Sequence, residues 1–280
     1  QSLYWPNYDI SLPPVQQRRT RKSFKQTKQN EGQGQIMHIA ILQAGRTNPD
    51  MPAEFQDYPD MFETLFDAQT GNNSFTFSNV PVIDGVFPES IDDYDGYLIT
   101  GSAYGVYDDA PFIADLMTFI RDIFAAGKPL VGICFGHQAI AHALGGHAAK
   151  FDGGWGIGTM QVQMVGTADW IPAGIERLDL IHVHQDQVTQ LPPTAVRLAE
   201  SDFCKNAAFA IGKQVFSVQG HPEFTSAYTN ALINIREDKI GTDRAAVARR
   251  SLENPHDGKQ VGGWILDFFA THDAASYLSN

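Results

Sequence analysis

Apolar runs and apolar stripes alternate along this chain from residue 36 onward. Residues 36–42 form a compact apolar run of strand length that ends at Gln43-Ala44-Gly45, and residues 75–82, 97–99 and 129–133 repeat the signature. Between these runs the period lengthens. Phe55, Met61, Phe62, Leu65 and Phe66 share one face of a helix predicted within residues 51–68, with Pro52 and Pro59 limiting its start. Leu116, Phe119, Ile120 and Ile123 do the same for residues 115–126, and Ala139, Ile140, Ala143 and Leu144 for residues 135–144, which Gly145-Gly146 terminate. Such alternation predicts an α/β fold, with a doubly wound, mostly parallel sheet flanked by helices.

The second half reads differently. Residues 160–165 alternate as a strand, residues 180–186 form another that puts His182 and His184 on one face, and residues 207–212 and 214–219 flank Gly212-Lys213 as a hairpin. Thr225 suits the cap of a helix over residues 226–236, and residues 243–252 and 261–269 predict two more, so a helical C-terminal extension occupies about residues 225–280.

Residues 1–35 have no apolar periodicity. Arg18, Arg19, Arg21, Lys22, Lys25 and Lys28 stand against Asp9 and Glu31, and a Gln/Gly-rich stretch follows, which reads as a flexible basic tail. A transit peptide and a basic arm for an acidic partner are open readings; an extension upstream of a natural start at Met37 is the preferred one. Residues 36–280 are then one α/β domain, a size able to bury a full core. The net charge of -12 argues against a nucleic-acid surface, and with no run of about 18 apolar residues no membrane span is expected. Two cysteines, Cys134 and Cys204, are too few for a disulfide framework and fit a reducing cytoplasm.

The candidate chemistry centres on Cys134, where a strand turns sharply into a helix. A helix N-terminus offers unpaired N–H groups and a partial positive charge, which favour a thiolate and can hold an oxyanion. Gly132 and Gly136 permit the turn, as in a nucleophile elbow. A buried structural cysteine is the alternative, and Cys204, without a nearby base or helix start, is read as one. Late in the chain, His221-Pro222-Glu223 supplies what a thiol nucleophile needs. In an extended segment residues i and i+2 point the same way, so His221 serves as base and Glu223 as its orienting group.

These two motifs, Gly132-Ile133-Cys134-Phe135-Gly136-His137-Gln138 and His221-Pro222-Glu223, in this order and at this separation, resemble the class I glutamine amidotransferases of the GMP synthetase type, over about residues 36–224. The resemblance implies a Cys134, His221, Glu223 triad, no cofactor and no metal. It implies oxyanion donors at the backbone N–H groups of Ser102 and Phe135, where Gly101-Ser102-Ala103 replaces the family's usual Gly-Gly-Pro. Gln138 is implied as a substrate contact, and the Gly153–Gly158 stretch, with Gly154 and Trp155, as holding the substrate's α-amino and α-carboxylate groups. Ordinary hairpin punctuation remains an open reading of those glycines. His184, Asp186 and Val188 match a family segment in the substrate wall; a metal site at His182 and His184 is the competing reading. His137, His142 and His147, five apart, would scatter around a helix and argue against joint ligation.

The implied reaction is hydrolysis of the γ-glutamyl amide of glutamine through a thioester, alone or with a synthetase subunit that activates an acceptor. No Walker phosphate loop is present, so such an acceptor activity would come from a partner. A stand-alone γ-glutamyl peptidase or amide hydrolase is the second expectation, and an inactive regulatory homologue the third. A Cys-dependent α/β-hydrolase would place its acid before its histidine, whereas Glu223 follows His221.

Overall fold

A computed structural model describes residues 36–69 and 74–272. The expected basic tail lies outside those residues, as does the end of the expected helical extension. In chain order the elements are β1 (Met37–Leu42), α1 (Tyr58–Asp67), β2 (Phe75–Val80), β3 (Gly96–Ile99), α2 (Pro111–Ala125), β4 (Leu130–Ile133) and α3 (Phe135–Ala143). There follow β5 (His147–Lys150), β6 (Gly156–Met164), β7 (Arg177–His184), β8 (Asp186–Gln190), β9 (Val196–Glu200), β10 (Ala208–Ile211) and β11 (Val215–Val218). Three helices close the described chain: α4 (Ser226–Ile240), α5 (Thr242–Ser251) and α6 (Gly258–Ala270).

A nine-stranded sheet runs in the order β2-β1-β3-β4-β11-β10-β9-β6-β7. Its first five strands are parallel, as the alternating pattern predicts, and from β10 onward every pairing is antiparallel. The sheet is therefore mixed, a parallel half that is doubly wound and an antiparallel wing. The parallel strands are apolar because helices cover both faces. α1 and α6 pack Phe62, Phe66, Ile265 and Phe269 against Ile39 and Ile41 on one face. On the other, α2 and α3 pack Ile113, Leu116, Ile120 and Ile140 against Ala40 and Leu42. Burying apolar surface yields about 25 cal/mol per Å², and these two layers supply most of the core. The three C-terminal helices divide: α6 is part of the main sheet's cover, while α4 and α5 pack on the wing through Leu232, Ile233, Ala245 and Ala248 with Ile157, Ile181 and Val183.

Several boundaries differ from expectation for identifiable reasons. Helix α1 begins at Tyr58 because the Asp57 carboxylate accepts from the Tyr58 N–H and Pro59 occupies the first turn, leaving Phe55 outside. Pro111 starts α2 one turn before its apolar stripe becomes regular. The second strand stops at Val80, and Val82–Asp84 is a 3₁₀ turn. The predicted strand over residues 180–186 is two strands, since the chain leaves the large sheet after His184 and pairs Asp186–Gln190 with β5 in a separate two-stranded sheet. No helix among the described residues is long and apolar enough to cross a membrane.

Candidate active site

Three adjacent parallel strands, β3, β4 and β11, end at the same place, and the segments leaving them carry the candidate chemistry. Gly101 and Ser102 follow β3, Cys134 follows β4, and Gln219 to Glu223 follow β11. Cys134 takes φ 51°, ψ −99°, the only positive φ of a non-glycine residue among the described residues. Such backbone costs on the order of 1–3 kcal/mol and persists only where its surroundings hold it. Those surroundings are visible. Cys134 N–H donates to Val218 O at 3.0 Å, and Gln138 N–H donates to Cys134 O at 3.1 Å. The two flanking glycines allow strand, elbow and helix to close on one another: a methyl at Gly132 would lie 2.7 Å from the Gly136 carbonyl, and one at Gly136 would lie 2.4 Å from Ile99 O.

His221 is fixed from both sides. Its N–H donates to Ile181 O at 2.7 Å, an isolated bridge to β7. Its ring stacks on Phe224 at 3.9 Å and 4°. Nδ1 donates to Glu223 Oε1 at 2.7 Å, leaving Nε2 for Cys134, which lies on the same side of Gly101 as the ring. The Glu223 side chain is fully buried, and its second oxygen, Oε2, has no partner among the described residues. Burial alone would lower the imidazole's pKa, but the charges of Glu223 and then Cys134, with hydrogen bonds to both, outweigh it and push His221 up to about 10. The imidazolium is thus the favoured form in the free protein. A methyl on Gly101 would sit 2.8 Å from His221 Cε1 and 3.8 Å from Cys134 Cβ, so all three strand-end segments converge on one point.

At that point the amides of Ser102 and Phe135 make no hydrogen bond to another described group. Phe135 opens α3, where an N–H has no intrahelical partner. Cys134 also lines a cavity of about 450 Å³, bounded by Ser102–Gly105, Tyr107, Gln138, Lys150, Trp155, His184, Asp186 and Arg236. Gln138 does not aim its amide nitrogen at open space: it donates to Asp186 O at 2.9 Å and to Gln219 Oε1 at 3.3 Å. Gln219 in turn directs Nε2 to Cys134 Sγ at 3.6 Å. Sequence reasoning missed Gln219, because only the β4–β11 register puts it beside the elbow.

Of the glycine-rich stretch, only Gly153–Trp155 is a turn, and β6 begins at Gly156. Gly154 (φ 86°) leaves room for Arg244 of α5, whose guanidinium donates to Trp155 O at 2.5 Å and Gly153 O at 3.0 Å. Trp155 lines the cavity; Gly154 faces the arginine.

The histidines outside the pair are structural in geometry. His184 Nδ1 meets Asp186 O at 3.0 Å and its Nε2 meets His182 Nδ1 at 3.1 Å, which leaves His182 Nε2 without a partner among the described residues. Burial, with the charges of His184 and His221, lowers the pKa of His182; burial first, partly opposed by Asp186 O, takes His184 to about 4. His137 sits between Ser217 Oγ and Asn206 O, and burial takes it to about 3. His137 lies in α3 while His147 begins β5, so the three histidines spaced by five do not share a helix. No group of three or more His, Cys, Asp or Glu side chains among the described residues is arranged to hold a metal ion. Cys204 is buried, and burial pushes its thiol up to about 12, the opposite of what a nucleophile requires.

Comparison with known proteins gives a consistent set of likenesses. The profile of the family described as "Glutamine amidotransferase class-I" matches residues 61–235. A glutamine amidotransferase-like protein of Schizosaccharomyces pombe is 27% identical over 82% of this chain and 98% of its own length. "Gamma-glutamyl peptidase 2" of Arabidopsis thaliana is 30% identical over 68% of this chain and 77% of its own. Among solved structures, a glutamine amidotransferase of Thermotoga maritima superposes with a TM-score of 0.66 at 21% identity, covering 86% of this chain and 99% of that one, a likeness of fold.

Proposed function

The chain belongs to the class I glutamine amidotransferase family, and from that premise we propose that it hydrolyses γ-glutamyl amide bonds, with Cys134 as nucleophile, His221 as general acid and base, and Glu223 as the group that orients and charges the imidazole. The observation that carries this reading is the buried chain of contacts from Glu223 Oε1 through His221 to Cys134 at the start of α3.

Cys134 Sγ attacks the side-chain carbonyl carbon of the γ-glutamyl group, and the resulting oxyanion is received by the Ser102 and Phe135 N–H groups. The proton held by His221 passes to the departing nitrogen as the C–N bond breaks, leaving a γ-glutamyl thioester and a free amine. Part of what holds that proton is the negative charge on Cys134. In the thioester that charge is gone, so the imidazole becomes a better base at the moment it must take a proton from water. Hydroxide attack releases glutamate and restores the thiolate and imidazolium.

The sequence puts glutamine first among substrates; we put a larger γ-glutamyl compound ahead of it, and the size of the cavity supports that choice. About 450 Å³ lies within the range of roughly 300–1,000 Å³ of sites that hold drug-sized ligands, more than one amino acid requires, which favours a γ-glutamyl compound with a bulky leaving group. The likeness to gamma-glutamyl peptidase 2 over most of that protein's length supports the same choice. Glutamine hydrolysis with ammonia passed to a synthetase partner is the second reading, favoured by the family itself. A reducing cytoplasm suits a working Cys134 beside an unpaired Cys204. The test is a comparison of turnover of glutamine and of γ-glutamyl dipeptides by the wild type and Cys134→Ala. The expected result is dipeptide turnover that exceeds glutamine turnover and is lost in the variant. Turnover that survives Cys134→Ala would refute the proposal, and glutamine turnover alone would restore the second reading.

A further inference from the structure

Of the helices that follow His221 and Glu223, α4 reaches the cavity through Arg236. Since His221 protonates the departing nitrogen, the leaving group lies on the imidazole side of Cys134. Against the His221 ring lies Phe224, whose own ring contacts Tyr58 at 5.8 Å and Tyr228 at 4.6 Å. Arg236, two turns beyond Tyr228 on α4, is half-buried, lines the cavity and acts electrostatically on both tyrosine hydroxyls. Its neighbours in the wall are Trp155 and Val183, which come from the turn before β6 and from β7.

The other end of the cavity has a different character. There Gln138 bonds Asp186 O, Tyr107 and the Asp186 carboxylate lie together beside Gly105, and Lys150 is the strand partner of Asp186. Asp108 lies close enough to Asp186 to act on it, so a charged amino acid head group finds both a cation and carboxylates here. Two cationic side chains line the cavity: Lys150 pairs with Asp186 across β5 and β8, while Arg236 acts on the two tyrosines packed against Phe224.

We infer that Arg236 is the residue that sets specificity for the leaving group, its guanidinium taking the free carboxylate of an amino acid or short peptide joined to the γ-glutamyl carbonyl. The assignment rests on the γ-glutamyl hydrolysis proposed above and deepens it, because ammonia offers no carboxylate to bind. An arginine matches a carboxylate with two parallel N–H bonds, and its five donors let it serve a ligand beside its other contacts.

The experiment compares γ-glutamylglycine with γ-glutamylglycinamide, which differ in the carboxylate alone, using the full chain. In the wild type the ratio of the two kcat/KM values favours the free acid by about ten- to a hundredfold. Arg236→Gln brings the ratio close to one, mainly through KM for the acid, and Arg236→Lys keeps an intermediate ratio. Because each ratio is taken within one preparation, partial loss of folded protein cancels; if Arg236→Gln does not fold, the wild type and Arg236→Lys decide. A wild type that takes both substrates equally, or variants that lower both in the same proportion, would overturn the assignment and leave the γ-glutamyl reading standing. Cleavage of neither substrate by the wild type would overturn both.

Discussion

At Cys134 the chain accepts a backbone conformation that L residues rarely adopt, and the same bend that strains it puts Sγ over the start of α3 and in front of His221. The imidazole's charge depends on its neighbours more than on itself. Folding raises the His221 pKa from 6.5 to about 10 against the effect of burial, so the stabilisation from this group is complete below about 6.5 and is lost as pH rises through about 10. Glu223→Gln removes the charge that does most to raise it. Thermal unfolding measured from pH 6 to pH 10 should therefore fall with pH more steeply in the wild type than in Glu223→Gln, and kcat of the variant should drop by about 10³–10⁴-fold. Parallel stability curves for the two proteins would show that Glu223 does not charge the imidazole.

At the scale of elements, the site exists because β3, β4, β11 and α3 approach one another more closely than side chains would allow. Gly136 lies against Ile99 O and Gly132 against Gly136. Gly136→Ala is expected to cost about 1–3 kcal/mol, as overpacking usually does, and to lower activity by shifting the oxyanion amide of Phe135. Urea unfolding and kcat on the same preparation check it; an unchanged midpoint would mean the strand–helix contact is looser than it looks. The elbow and the parallel half were legible because they rest on local signals: apolar runs of strand length, helical stripes, and glycines on each side of Cys134. Other features rest on partners far away in sequence. Strands β5, β8 and β9 carry weak alternation, and Val196 and Arg197 are exposed at the start of β9. Gly156 and Gly158 read as turn residues, yet they lie inside β6, where Gly158 (φ 89°) makes space for Ser251 of α5. His184 reads as a wall residue and bounds the cavity, and both of its nitrogens are engaged, a fact that only the fold of β7 back into β8 reveals. Gln219, Tyr58 and Arg236 had no local signal at all.

Across the whole molecule, the parallel half carries Cys134, the Ser102 and Phe135 amides and His221, the proposed nucleophile, oxyanion donors and base, while Val183 and His184 of the antiparallel wing, Trp155 before it and Arg236 of α4 supply another part of the cavity wall. Arg244 and Ser251 tie that wall to the wing by bonds to Trp155 O and to the Thr159 N–H. Chemistry and selectivity thus come from different parts of the fold, so loss of the wall should change which γ-glutamyl compound is taken without changing how it is cleaved. The central claim is the covalent step itself. Rapid acid quench during turnover of a γ-glutamyl dipeptide, followed by intact-mass and peptide mapping, should find one γ-glutamyl group, in thioester linkage, on Cys134 in the wild type and in Cys204→Ser, and none in Cys134→Ala. A γ-glutamyl group found on Cys204, or steady turnover in Cys134→Ala with no adduct, would contradict the account.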